Sequence, residues 1–153
     1  MKKPIKTSLK GLKKIAQHKR KKVKEMKMPD GSCIYSDLKK GNETNYDLYD
    51  LTTEITGFRR MVFNMNIIQP GRIGKDYKMT TGHSHKDQDE YYFFISGKGK
   101  MLLKFGKKKY SFAVRKHDLV TVPRGYWHRV INTGRQKLVF IDVFEGSLPK
   151  SRQ

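Results

Sequence analysis

The 153-residue sequence predicts an all-β domain, a sandwich or barrel of short strands, behind a short basic helical extension. Three observations carry this. From Tyr46 onward, short apolar or alternating runs follow one another with turn residues between them. No long helical pattern separates those runs. Residues 1–28 have a different texture, with 12 Lys/Arg against the single acid Glu25.

Taken in chain order, Ile5, Leu9, Leu12 and Ala16 recur at helical spacing with lysines on the other faces. They predict a short amphipathic helix, weakened by Gly11, that docks on the core. Met28–Ser32 predicts a turn through Pro29 and Gly31, and Lys39–Asn45 a loop. Strands are expected near 46–53, 58–68, 89–96, 99–105, 108–114, 119–123, 127–132 and 137–144. Turns fall at Gly97-Lys98, Gly106-Lys107, Lys116-His117-Asp118 and Thr133-Gly134-Arg135. Phe140–Phe144 reads as a central strand, with Asp142 turned outward or paired with a basic neighbour. The chain thus divides into a basic extension, 1–28, and one domain, 29–153.

Composition sets further bounds. The single cysteine, Cys33, excludes an internal disulfide and is expected as a small half-buried hydrophobe. No apolar run approaches the roughly 20 residues of a membrane span. The basic N-terminus lacks the apolar segment of a secretory signal, so a cytoplasmic location is expected. The net charge of +20 is concentrated in residues 1–28, which could contact nucleic acid. The basic remainder favours an anionic small substrate such as a sugar phosphate.

The residues with the most chemical content are His83, His85, Glu90 and His128. Only five histidines occur in the chain, and three fall in this set. Strand residues i and i+2 point to one face, so His83 and His85 aim two imidazoles at one place. Glu90 opens the run Glu90–Ile95, on which Glu90, Tyr92 and Phe94 share a face. An inward carboxylate needs a partner, and a divalent cation is one. His128 starts a later strand that a rolled sheet brings back beside the first. Three imidazoles and a carboxylate suit Fe(II), Mn(II), Ni(II), Zn(II) or Cu(II) better than Ca(II). Four protein ligands on a six-coordinate ion leave two positions for a substrate.

The joint pattern, HxH-x4-E-x6-G from His83 to Gly97 and PxGxxHxxxN from Pro123 to Asn132, resembles that of the cupins, double-stranded β-helices of jelly-roll type. Within them the chain most resembles the archaeal cupin-type phosphoglucose isomerases. The shared stretches are Gln69–Tyr77, Thr80–His85, Glu90–Tyr92, Gly97–Leu103, Val122-Pro123 and His128–Gly134. The resemblance implies a cupin jelly-roll barrel and a homodimeric enzyme that interconverts glucose 6-phosphate and fructose 6-phosphate. It implies the metal ligands His83, His85, Glu90 and His128, with iron the family's usual ion and Mn(II), Ni(II) or Zn(II) able to substitute. It implies substrate contacts at Thr80, Gly82 and Tyr92, and makes Glu90 the candidate proton carrier as well as a ligand. The alternatives are another metallocupin, such as a small Fe- or Mn-dependent dioxygenase, and a non-catalytic binding cupin whose basic tail contacts nucleic acid.

The sequence departs from the family pattern at several positions. Tyr77 stands where a glycine is expected six residues before the first histidine. His117 stands where a glycine should precede Asp118, which assigns it a left-handed backbone and a structural role, not that of a fifth ligand. Tyr126 takes the place of a tryptophan, and Trp127 follows it. The family pattern also has a substrate-binding tyrosine after the last strand, and Glu145–Gln153 contain none. Metal binding is the expectation that survives this difference; sugar-phosphate specificity is the one it touches.

Overall fold

The computed structural model describes residues 6, 8–51, 53–54 and 60–145. Helix α1 (Leu9–Ile15) forms where the apolar spacing predicts it. The Ser8 hydroxyl accepts the Gly11 N–H at 3.1 Å, giving a first-turn donor its partner. The helix docks lightly: Ala16, just past its end, packs against Tyr49, Met65 and Ile67, while Ile15 is exposed. Ile5, also expected on the docking face, lies outside the described residues.

The basic segment contains a strand that its sequence conceals. β1 (Gln17–Lys22) pairs antiparallel with β2 (Thr44–Asp50), from Gln17 opposite Asp50 to Lys21 opposite Tyr46. Gln-His-Lys-Arg-Lys-Lys shows no apolar alternation because this strand lies at a sheet edge, largely in water. Its cations also discourage pairing with another chain. His18 Nε2 and Arg20 Nε reach Asp47 Oδ1 at 2.7 and 2.9 Å, and the His18 ring stacks on Tyr49 at 4.4 Å. Beyond β1, Val23 and Met26 are fully buried in the main core.

The remaining strands are β3 (Thr53–Glu54), β4 (Arg60–Ile68), β5 (Arg72–Ile73), β6 (Asp76–Tyr77), β7 (Glu90–Ser96), β8 (Lys98–Phe105), β9 (Lys108–Arg115), β10 (Leu119–Val122), β11 (Trp127–Asn132) and β12 (Leu138–Glu145). One sheet runs β1-β2-β4-β12-β7-β10, with β3 added to β4; the other runs β11-β8-β9. β5 and β6 form a separate hairpin. The eight expected strands correspond to β2, β4 and β7 through β12. Those missed are β1 and three two-residue pieces, too short to show a period.

Between the sheets lies one core of Ile68, Phe94, Met101, Val130, Leu138 and Phe140. Phe94 and Phe140 meet at 5.3 Å, and Tyr92 stacks on Phe140 at 5.5 Å. The β7–β8 turn depends on Gly97, whose φ of +89° and approach to the Lys137 carbonyl leave no room for a Cβ. His117 has φ 78°, the only non-glycine with positive φ among the described residues. Its N–H donates to the Phe94 carbonyl at 2.7 Å, as a structural role requires.

Asp142 corrects the sequence reading. It does not turn outward and has no basic partner in the hydrogen bonds described; it is 5% exposed, on the inward face of β12 with Leu138 and Phe140. Strand parity overrides its charge, and two inward asparagines receive it.

Candidate metal centre

The four candidate ligands come from three segments that the sheets bring together. Glu90 opens β7, a strand flanked on both sides, opposite Phe144 of β12 and Val122 of β10. Its alternation is as expected: Glu90, Tyr92 and Phe94 are buried, Tyr91 and Phe93 exposed. His128 sits inward on β11, opposite Leu103 of β8. The HxH segment is held against β11 by backbone. His83 N–H donates to the His128 carbonyl at 3.2 Å, and His128 N–H to the His83 carbonyl at 2.9 Å. Gly125 N–H then fixes the His85 carbonyl at 2.7 Å.

The donor atoms lie within 4.8 Å of one another. Glu90 Oε1 is 3.0 Å from His128 Nε2, 3.1 Å from His85 Nε2 and 4.0 Å from His83 Nε2. Two donors at right angles on an ion bound at about 2.1 Å stand about 3 Å apart, which is the spacing of the first two pairs. His85 Nε2, His128 Nε2 and both Glu90 oxygens are buried without a hydrogen-bond partner. Such orphans are rare and cost about 1–3 kcal/mol each. A single cation would satisfy both nitrogens and one of the carboxylate oxygens.

The rings are oriented for that purpose. His83 Nδ1 lies 3.2 Å from the Thr81 carbonyl and His128 Nδ1 3.0 Å from the Tyr126 carbonyl. A proton on each Nδ1 leaves each Nε2 bare and aimed inward. The His85 ring is braced on Phe144, centroids 4.4 Å apart. Burial, then the neighbouring His128, pushes the His83 pKa down, favouring the neutral, ligating imidazole. Burial alone would raise Glu90, but without an ion the His128 and His85 nitrogens that face it, as N–H donors, and Asp142 outweigh burial and hold the carboxyl far below its ordinary range; a cation would take the place of those protons. Asp142 goes the other way: burial, then the adjacent Glu90, pushes it well up. Of the two neighbouring carboxyls, Glu90 is therefore the ionised one. Tyr92 is likewise raised, first by burial and then by Asp142 and Glu90.

The site opens on a cavity of about 170 Å³ whose lining includes His83, His85, Glu90, Tyr92, Thr80 and Thr81. Tyr92 and Thr80 thus sit where a substrate could meet them, although the Thr80 hydroxyl oxygen already accepts the Val130 N–H at 3.0 Å. Gly82 is half-buried beneath Trp127, outside the cavity lining; any Cβ there would overlap the indole. Among the lining residues that the sequence reading missed are Asn64, Asn66 and Asp142. Their signal was parity: Asn64 and Asn66 share the inward face of β4 with Ile68.

Comparison with known proteins agrees with this architecture. Residues 22–147 match the family model described as glucose-6-phosphate isomerase (GPI). A glucose-6-phosphate isomerase of Thermococcus kodakarensis is 30% identical over 113 residues, 72% of this chain and 59% of its own. One from Pyrococcus abyssi is 31% identical over 110 residues, 70% of this chain and 58% of its own. The chain thus spans less than two thirds of either relative. Among solved structures, a cupin-2 domain of Rhodospirillum rubrum superposes with a TM-score of 0.53 at 18% identity, covering 69% of this chain and 63% of its own. A predicted oxalate decarboxylase of Thermotoga maritima gives 0.56 at 17% identity, covering 86% and 94%. With its two sheets, its three-histidine, one-glutamate cluster and a family match over most of its length, this chain belongs to the glucose-6-phosphate isomerase family and has the cupin fold.

Proposed function

We propose that this chain is a metal-dependent aldose–ketose isomerase acting on glucose 6-phosphate and fructose 6-phosphate, with Fe(II) held by His83, His85, Glu90 and His128. The observation that carries the reading is the set of bare donor atoms meeting at the wall of a cavity of about 170 Å³, with a buried carboxylate among them. The similarity to named isomerases supports the substrate. The bound ion supplies Lewis-acid polarisation of the sugar carbonyl and charge stabilisation at the developing oxyanion.

The side chains have definable tasks. The reaction moves a proton between C2 and C1 through an enediol(ate). Glu90, ionised and facing the cavity, takes the proton from one carbon and returns it to the other. Tyr92, on the same face two residues along, keeps its proton and donates a hydrogen bond to a sugar oxygen. Thr80 and the backbone around Gly82 hold the substrate's phosphate end near the mouth, where His83 is the most exposed of the four ligands. The buried walls limit water, which would otherwise exchange with the migrating proton. The working assembly in this reading is a homodimer, which light scattering measures directly.

The test is a coupled assay for glucose 6-phosphate formed from fructose 6-phosphate. Turnover should disappear with chelator and return with Fe(II), Mn(II) or Ni(II). No turnover at high enzyme concentration across that metal panel contradicts the reading. Oxygen uptake with turnover would instead favour an oxygenase.

A further inference from the structure

The cavity has a second polar wall that no metal needs. Asn64 and Asn66 on β4 and Asp142 on β12 are 8%, 4% and 5% exposed, and all three line the cavity. Asn64 Nδ2 donates to Asp142 Oδ2 at 3.2 Å, and Asn66 Nδ2 to Asp142 Oδ1 at 2.6 Å. The register fixes the cluster: Asp142 lies opposite Asn64 on one side and Tyr92 on the other, with Phe144 opposite Glu90. The cluster is thus built on paired backbone and extends the Glu90 wall along the sheet.

Such a cluster is costly as mere packing. The same inward parity further along these strands is filled by Ile68, Leu138 and Phe140. Replacing a buried polar cluster with apolar side chains of similar volume is often neutral or stabilising. The arrangement also has a direction. With the amide nitrogens turned onto Asp142, the amide oxygens of Asn64 and Asn66 are the acceptors this wall can offer a ligand in the cavity they line. Together with the Glu90 carboxylate, they make a wall of acceptors. Sugar hydroxyls suit it; a phosphate does not.

We infer that Asn64, Asn66 and Asp142 form a hydroxyl-binding wall that seats the carbon chain of a polyol against Glu90 and turns any phosphate toward the mouth. These are positioning and specificity residues, and the sugar-phosphate substrate class rests on the isomerase reading. A cavity of about 170 Å³ is the share of liquid taken by about five or six waters, the scale of a short polyol.

The experiment uses the metal-loaded full chain and sorbitol 6-phosphate, a polyol phosphate without a carbonyl. Binding is measured by calorimetry, with metal content and fructose 6-phosphate kinetics alongside. Asn66→Val and Asp142→Leu should weaken the probe at least tenfold and raise KM in parallel, with one ion per chain retained. Asp142→Asn, which preserves shape, should give a smaller loss. Inorganic phosphate should bind all of them alike. Probe affinity within twofold of the parent in metal-loaded variants would overturn the inference. So would metal loss in all three variants, or a parent chain that does not bind the probe. A parent that binds the probe but turns nothing over would instead count against the isomerase reading and leave the wall standing.

Discussion

The two ends of this barrel share strands yet are built on opposite terms. At one end the inward positions are Ile68, Phe94, Met101 and Leu138, each 0% exposed, with the buried Phe140 ring between them and the cavity that it also lines. Even the polar residue there is fully partnered. Asn132 donates to the Ile68 and Gln136 carbonyls at 3.0 and 2.9 Å and accepts the Gly134 N–H at 3.0 Å. At the other end the same parity supplies Asn64, Glu90, Asp142 and His128, and four buried polar atoms have no hydrogen-bond partner. The first end holds the sheets together. The second is a stability liability that the first can carry, and a cation is what would relieve it.

The largest effects should come from attacking the closed end. Phe140→Ala removes a ring shared by Tyr92 and Phe94 and should cost about 3–5 kcal/mol in chemical denaturation. His128→Ala, at the open end, should lower metal affinity by at least about 100-fold, read by metal analysis after dialysis. The metal-free protein should change much less than Phe140→Ala changes it, because an unpartnered nitrogen is removed together with the ring's packing. His85→Ala should likewise lose metal severely; full occupancy would remove that residue from the ligand set.

Metal removal sharpens the same contrast. If the donors form the site, ion at 100 times its Kd should stabilise the parent by about 2.7 kcal/mol, and chelator should abolish that gain. Phe140→Ala should keep the increment if it folds; His128→Ala should lose it.

Asp142 gives the open end a pH signature. Its folded pKa lies above the unfolded carboxylate value, so its contribution is fully present below the unfolded pKa and is lost as pH rises through the folded pKa. Asp142→Asn should therefore raise stability at neutral pH and flatten that decline, measured on metal-free protein across a pH series. The smallest effect belongs to neither end. Lys107→Ala, in the exposed β8–β9 turn, should leave metal content unchanged and stability within about 0.5 kcal/mol.

The same contrast explains what could be read from the sequence. The strands from Tyr46 onward were legible because one face is buried and the period shows. Glu90-Tyr91-Tyr92-Phe93-Phe94 in the sequence is buried, exposed, buried, exposed, buried in the fold. The four donors were legible because few residue types bind such ions and their spacing is narrow. β1 was hidden because an edge strand in water needs no apolar face. The wall of Asn64, Asn66 and Asp142 was hidden for a different reason. A charged residue in an apolar strand invites an outward assignment, and only the pairing of β12 with β4 reveals two amides waiting for it. Gly82 also has a packing reason that no spacing in the sequence shows, the Trp127 indole against its Cα.

The central claim is that His83, His85, Glu90 and His128 enclose one ion at the open end. Crystals grown with Mn(II) or Fe(II) and measured at that metal's absorption edge test it most directly. The expected result is a single strong anomalous peak inside the barrel, about 2.0–2.3 Å from three Nε2 atoms and a Glu90 oxygen. A loaded crystal with no peak there, or with its peak elsewhere on the molecule, would contradict it.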